Sequence, residues 1–353
     1  MKQSVLFGRG QGESVLVQLS EDDWMIVDSC TNDNKEPAAI RYLIDIGKNP
    51  ADVVKLIVIS HFHNDHIKGM SKIIDICTKA DVCISSALNT FEFHAYLSAI
   101  SSPDINISQT SEMKAILNQV GLFKGPRKLR FAIADRHLYK NGDVSVVSLS
   151  PCDNDIKESD SNFASLLEVN NKIADVSKSA ALINPNHYSI VLRIFDDKSQ
   201  SEMLLGADLE VSKTGGWDEV CNCNLSPKPN RVNVFKIPHH GSITGFHEPT
   251  WQHLINSSPE CVMTTFNTHN LPTPEMQEKY KVKAKNLYCA STPKNYTPPE
   301  NLREIVKTLS KTKSTVKFLN KNSKFGYIQI QNYLCSSPTI EIFGDAKKIA
   351  FKI

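Results

Sequence analysis

The segment Ile57-Val58-Ile59-Ser60-His61-Phe62-His63-Asn64-Asp65-His66 constrains this chain more than any other. It places three histidines and an aspartate within six residues, directly after an apolar run of strand length. On extended backbone, His61 and His63 point the same way at i and i+2. Asp65 and His66 then fall on the following turn. Such spacing can feed two adjacent metals from one loop. Imidazole together with carboxylate suits zinc, manganese or iron rather than calcium. The bland alternative, a polar loop of internally bonded histidines, is disfavoured by four ligand-type side chains at one strand end.

The surrounding pattern alternates strands and helices. Ser14–Leu19 and Trp24–Asp28 are short and β-rich, and the turn Ser20-Glu21-Asp22-Asp23 between them predicts a hairpin. Pro37–Ile46 carries Ile40, Leu43 and Ile44 on one face, with Pro37 in its first turn and Gly47 at its end, so it reads as a helix. Lys55–Ser60 reads as a buried strand, Met70–Lys79 as a helix, and Met113, Ile116, Leu117 and Val120 as one helix face stopped by Gly121. Further strands are expected at Val144–Leu149, Ser189–Ile194, Met203–Gly206, Val232–Ile237, Cys261–Thr265, Tyr327–Gln331 and Thr339–Phe343. A capping box at Thr297–Glu300 opens a late helix. Ser101–Thr110 and Asp153–Pro185 read as loops; the second, rich in Asn, Asp, Ser and Lys, is expected to be mobile.

At 353 residues the length allows roughly two units or one large elaborated domain, at about 150 residues per domain. The reading here is one domain over 1–353. Inserted segments lie near 90–140 and 153–185, and a β-rich extension follows about residue 331. Hydrophobic residues at 41% and charged residues at 22% exclude a disordered or fibrous chain. Lys plus Arg (40) nearly balances Asp plus Glu (38), so no overall basic footprint for nucleic acid exists, although a local patch is compatible with this balance. The densest basic stretch is Lys124, Arg127, Lys128, Arg130 and Arg136, either a phosphate-backbone grip or a solvated face. No apolar run is long enough to span a bilayer, and the first residues lack the pattern of a signal peptide. The nine scattered cysteines suit reduced thiols, so a cytoplasmic location without a membrane partner is expected. Cys221 and Cys223 lack a second pair downstream and are not read as a zinc site.

The H-x-H-x-D-H segment closely resembles the metallo-β-lactamase superfamily, and further markers follow in order. Asp28 ends the apolar run Met25-Ile26-Val27, Asp208 ends Leu204-Leu205-Gly206-Ala207, and Val234–Ser242 carries a Pro-His-His-Gly-Ser motif. Details resemble one branch, the soluble domain of the DNA-uptake protein ComEC and its standalone relatives. These are Gly10-Gln11-Gly12-Glu13-Ser14, Leu149-Ser150-Pro151, Asn186–Leu192, Asn267 to Pro272 and Gly326-Tyr327-Ile328. The resemblance covers about residues 4 to 331, without the channel-forming membrane part. It departs from that branch at Glu13, where an aspartate is usual, at Lys68, where a glycine is usual, and at Leu271, where a histidine is usual. These departures bear on substrate identity more than on metal binding.

The resemblance implies an α/β (α+β) fold, an αββα sandwich with the metal centre at one edge. It implies two divalent metal ions, zinc first, with manganese or iron as alternatives. His61, His63 and Asp208 would hold one, completed by water, by His187, or at the place of Asn186. Asp65, His66, Asp208 and one of His239 and His240 would hold the other. Only one of the two is expected to reach it, because adjacent side chains on extended backbone point in opposite directions, and His240 is preferred because its place before Gly241 matches the superfamily's late ligand. His239 would then face substrate, and Asp28 would buttress the histidine loop. Asp65 and His239 are the candidate catalytic groups, and Lys68, Ser242, Asn267 and His269 the candidate substrate contacts, with Lys236 and Lys294 as nearby cations. The implied activity is metal-dependent hydrolysis of a phosphodiester, DNA or RNA first, by a metal-activated hydroxide. The alternatives are a small-molecule phosphodiesterase, acting on a cyclic nucleotide or a phosphocholine-like ester, and a metal-bound, non-catalytic partner or sensor module of a multigene defence system.

Overall fold

The computed structural model describes residues 2–88, 111–123, 125–169, 185–293 and 325–349. The capping box at Thr297–Glu300, Lys124, Lys294 and the expected loop at Ser101–Thr110 lie outside them.

Two eight-stranded sheets make up the body. The first contains β1 (Gln3–Gly8), β2 (Glu13–Gln18), β3 (Trp24–Val27), β4 (Val54–Val58), β5 (Asp81–Ser85) and β6 (Leu129–Ala132). The second contains β7 (Arg136–Asn141), β8 (Val144–Ser148), β9 (Leu192–Asp196), β10 (Glu202–Leu205), β11 (Val232–Lys236), β12 (Ile255–Met263) and β13 (Asn286–Cys289). Then β14 (Gly326–Gln331) and β15 (Thr339–Phe343) join the first sheet, and β16 (Lys347–Lys348) joins the second. The spatial orders are β15-β14-β1-β2-β3-β4-β5-β6 and β16-β13-β12-β11-β10-β9-β8-β7. The residues after 331 therefore edge both sheets.

The strands alternate their side chains between two apolar layers. Leu6, Val15, Val17, Met25, Leu56 and Val58 of the first sheet meet Val146, Leu192, Ile194, Met203, Val234 and Val262 of the second in a shared core. Each such side chain contributes about 1.5–3 kcal/mol when fully buried. On the outer face of the first sheet, Val5, Leu16, Ile26 and Ile57 receive the helices Ala38–Asp45, Met70–Ile76 and Ser111–Gly121. On the outer face of the second, Leu204, Phe235, Cys261 and Leu287 receive Trp217, Trp251 and Tyr280 from the helices Trp217–Asn222, Glu248–His253 and Pro274–Lys283. The layering is αββα, as expected.

The expected hairpin forms, with Val15 opposite Val27 in an antiparallel pair. One expectation needs correction. Asp153–Val169 is a helix, not a loop. Its buried face is mostly polar: Asp155, Ser159 and Phe163 recur at helical spacing, and Asp155 accepts from the backbone N–H of Cys152 and Gly216. Within the segment near 90–140, β6 and β7 form edge strands of the two sheets. Its arginines serve the fold. Arg127 donates to the carbonyls of Ala80 and Ile74 and lies over the Phe123 ring, Arg130 donates to Leu138 and Arg136 to Phe131.

Pairing is parallel from β3 through β6 and again from β10 through β13. The C-terminal ends of parallel strands open a crevice where loops can gather polar side chains. No helix among the described residues is long and apolar enough to cross a membrane.

Candidate metal centre

Asp28 leaves β3 in the left-handed region at φ 58, which turns its carboxylate toward the end of β4. There it accepts from Ser60 N at 2.7 Å and Ser60 Oγ at 2.6 Å, and His66 Nδ1 donates to it at 2.8 Å. The Ser60 hydroxyl has a single proton, which goes to Asp28. Its oxygen therefore accepts from His61 Nδ1 at 3.0 Å. Both histidines are thus held at Nδ1, which turns their Nε2 edges toward the cluster.

The short helix Asn64–Ile67 follows, with His63 at its N-cap in extended conformation. This bend brings His63 Nδ1 to 3.1 Å from His61 Nε2. It also puts Asp65 beside His66, whose Nε2 lies 3.6 Å from Asp65 Oδ2. Gly12 makes the approach possible: at φ +123 it sits where a Cβ would come within 3.1 Å of the Asp65 carbonyl oxygen.

The second sheet supplies the opposite wall. Asp208 follows β10, and its Oδ2 lies 3.3 Å from His66 Nε2. His240 follows β11; its Nε2 lies 3.2 Å from Asp65 Oδ2 and 3.5 Å from Asp208 Oδ2. Asp65, His66, Asp208 and His240 therefore offer four ligand atoms that all lie within 4.8 Å of one another. The His61 ring stands 4.2 Å from that of His66. His61, His66, Asp208 and His240 are buried, while His63, Asp65 and His239 are part-exposed and form the mouth.

The extended backbone expected at His239–His240 is not what forms. Both residues are left-handed, at φ 48 and φ 50, in a tight turn completed by Gly241 at φ +75. His240 turns into the cluster. His239 turns to Glu210, with Nδ1 2.9 Å from Oε1. Asn186 donates to the same Glu210 oxygen, and His187 Nε2 lies 3.7 Å from Oε2. Asn186, His187, His239 and Glu210 thus make a polar group beside the four-residue cluster.

The candidate substrate contacts divide. His269 stacks on Phe266, whose ring stacks on His240 at 5.3 Å. Asn267 packs on Gly10, where a Cβ would meet its Nδ2 at 2.0 Å. Ser242 spends its hydroxyl on the following turn, accepting from Thr244 N. Lys68 is exposed just past His66, with its carbonyl accepting from Ser29 Oγ. Lys236 is not a surface cation: it is 1% exposed and 2.5 Å from Glu13 Oε1.

The donor set fits a divalent transition metal. Two buried polar atoms at its heart, His66 Nε2 and Asp208 Oδ1, have no hydrogen-bond partner. Buried groups of this kind are normally paired or coordinate a cation. Electrostatics agree. Burial opposes ionisation of Asp208, yet His66 and His240 hold its carboxyl well below the usual carboxylate range. Burial also opposes a charge on His66, yet Asp208, Asp65 and Asp28 push its pKa well above the ordinary histidine value. His61 goes the other way: burial, with His66 and His63 nearby, keeps it neutral, the form that ligates metal. A second acidic group, Glu13, Asp28 and His66, is already consumed by internal hydrogen bonds.

Sequence reasoning missed Glu13, Ser60, Glu210 and Thr264 as site residues. Glu13 was legible only as a departure from an aspartate; the other three carry no local signal.

Residues 7–112 match the family described as the metallo-beta-lactamase superfamily. No curated protein matches the chain. Among solved structures, YhfI, a metallo-beta-lactamase fold protein from Bacillus subtilis, is 13% identical with a TM-score of 0.41, covering 83% of this chain and 98% of that one. A HARLDQ-motif mutant of a metallo-beta-lactamase from Cronobacter sakazakii is 14% identical with a TM-score of 0.32, covering 59% of this chain and 62% of that one. The Rm3 metallo-beta-lactamase is 18% identical with a TM-score of 0.32, covering 60% of this chain and 62% of that one. The chain thus spans 62% of the length of each of these two lactamases.

Proposed function

We infer that this chain, whose residues 7–112 carry the metallo-beta-lactamase superfamily pattern, is a metal-dependent hydrolase with two divalent ions, acting on phosphodiesters. The observation that carries the reading is the convergence of Asp65, His66, Asp208 and His240 within 4.8 Å, beside the His61–His63 pair. His61 and His63 would hold one ion and Asp65, His66 and His240 the other, with Asp208 shared between them. When bound, such ions supply Lewis-acid polarisation of the phosphoryl oxygens and acidify the attacking water.

The chain's own groups do the rest. Asp65 stands at the mouth and orients the attacking water through its carboxylate. His239, steadied by Glu210, faces the same opening and contacts the departing oxygen. His269, exposed at the rim and stacked on Phe266, offers a flat face for a base or another planar group. Burial of His61, His66, Asp208 and His240 keeps bulk water from their ligand atoms.

DNA or RNA is the leading substrate class. A small phosphodiester is the second reading, favoured by Arg127, Arg130 and Arg136: their guanidinium groups bond backbone carbonyls of the fold itself. Zinc- or manganese-loaded protein assayed against linear DNA, RNA, cyclic nucleotides and bis-p-nitrophenyl phosphate tests both. Degradation of polymer supports the nuclease, and turnover of small esters alone supports the second reading. No turnover at full metal occupancy overturns the hydrolase assignment.

A further inference from the structure

Glu13 opens β2 and is 2% exposed. One carboxylate oxygen, Oε1, pairs with Lys236 Nζ at 2.5 Å, and the other, Oε2, accepts from Thr264 Oγ1 at 2.7 Å. Thr264 Oγ1 in turn lies 2.7 Å from His240 Nδ1. A carboxylate paired with an ammonium group can only accept, so the single hydroxyl proton of Thr264 goes to Glu13. The hydroxyl oxygen must then accept from His240, which places the imidazole proton on Nδ1. His240 Nε2 is thereby the edge that faces Asp65, at 3.2 Å, and Asp208.

Lys236 fixes the other end. Its Nζ also donates to the Ala207 carbonyl at 2.8 Å, and Ala207 is held in the left-handed region at φ 44 immediately before Asp208. The same ammonium lies 3.8 Å from Asp208 Oδ1. One fully buried cation therefore ties the carboxylate behind His240 to the turn that presents Asp208. For His240 of the second sheet, the arrangement parallels the hold that Asp28 has on His66 and, through Ser60, on His61.

We propose that Glu13, clamped by Lys236 and acting through Thr264, is a positioning residue that fixes the tautomer and aim of His240 at the metal centre. It rests on the reading of His240 as a ligand. Outer partners of this kind commonly govern metal affinity about 10- to 100-fold.

Nitrogen-15 NMR of the metal-free protein, with histidines labelled, tests the tautomer without requiring metal binding. The wild type is expected to hold His240 with its proton on Nδ1. Thr264→Val, close in shape but without the hydroxyl, is expected to lose that preference, and Thr264→Ser to keep it. Zinc titration against a chromophoric chelator is expected to show about 10- to 100-fold weaker binding for Thr264→Val and near wild-type binding for Thr264→Ser. A wild-type His240 without a proton on Nδ1 overturns the inference without any variant, including where Thr264→Val does not fold. Wild-type tautomer and affinity in Thr264→Val overturn it equally. If the tautomer responds as expected but the wild type binds no zinc, the positioning role stands and the metal-dependent function fails.

Discussion

Asp28 and His66, 38 residues apart, share a 2.8 Å hydrogen bond from Nδ1 to Oδ2, and neither side chain is more than 2% exposed. The bond joins the end of β3 to the helix after β4 and settles which edge of His66 faces the cluster. Asp28→Asn keeps the size and tolerates the positive φ, since asparagine enters the left-handed region more readily than most residues. It leaves one acceptor oxygen where Ser60 and His66 require two. The expected result is a folded protein, destabilised by about 1–3 kcal/mol, with zinc affinity about 10- to 100-fold weaker. Thermal unfolding and zinc titration measure the two effects, and unchanged affinity would remove Asp28 from the ligand support.

Protein purified without chelator and incubated with zinc or manganese is expected to hold two ions per chain by elemental analysis. Asp208→Ala, which removes the carboxylate facing both His66 and His240, is expected to lose metal and activity together. Full activity in that variant would show that Asp208 is not the shared ligand.

His240→Ala is expected to lower metal content at one site, whereas His239→Ala keeps both ions and loses turnover or substrate affinity. A metal deficit confined to His239→Ala would reverse the two roles. The backbone adds a separate expectation, because a left-handed L-residue costs about 1–2 kcal/mol. His239→Gly should therefore unfold at a higher temperature than His239→Ala, by an amount equivalent to about 1 kcal/mol.

Arg127→Ala is expected to destabilise the fold by about 1–3 kcal/mol, because two backbone carbonyls lose a charged donor and Phe123 loses its stacked cation. Turnover per folded molecule should not change. A variant of wild-type stability but with weakened DNA binding would return Arg127 to the substrate surface.

The central ligand-type residues were legible because four of them are neighbours in sequence, and because Asp28, Asp208 and His240 each follow an apolar run. Their supports were not. Ser60, Thr264 and Glu13 sit at strand ends or starts, where a hydroxyl or carboxylate has no periodicity to set it apart, and only the pairing of the sheets shows what it touches. The helix Asp153–Val169 was hidden for a related reason. Its inward face uses Asp155 and Ser159 in hydrogen bonds, which interrupts the apolar pattern set by Ile156 and Phe163. The turn at His239–His240 defeated an argument from extended backbone, because both residues are left-handed without being glycine. The stretch from Arg127 to Arg136 looked like a surface for phosphate, but charge in sequence does not say whether a guanidinium faces water or a carbonyl.

Asp65 and His66 hang from the first sheet, and Asp208 and His240 from the second. The centre is therefore a clasp across two halves of the chain rather than a pocket within either. A fragment ending before β7 would carry Asp28, His61, His63, Asp65 and His66 but only one wall of the cluster. Any ion seated here ties the docking of the halves to its own concentration, since binding only the assembled state stabilises it by mass action. Removing that ion would act on the seam between the sheets first, so amide exchange should quicken at the ends of β4, β10 and β11 before it quickens at their centres.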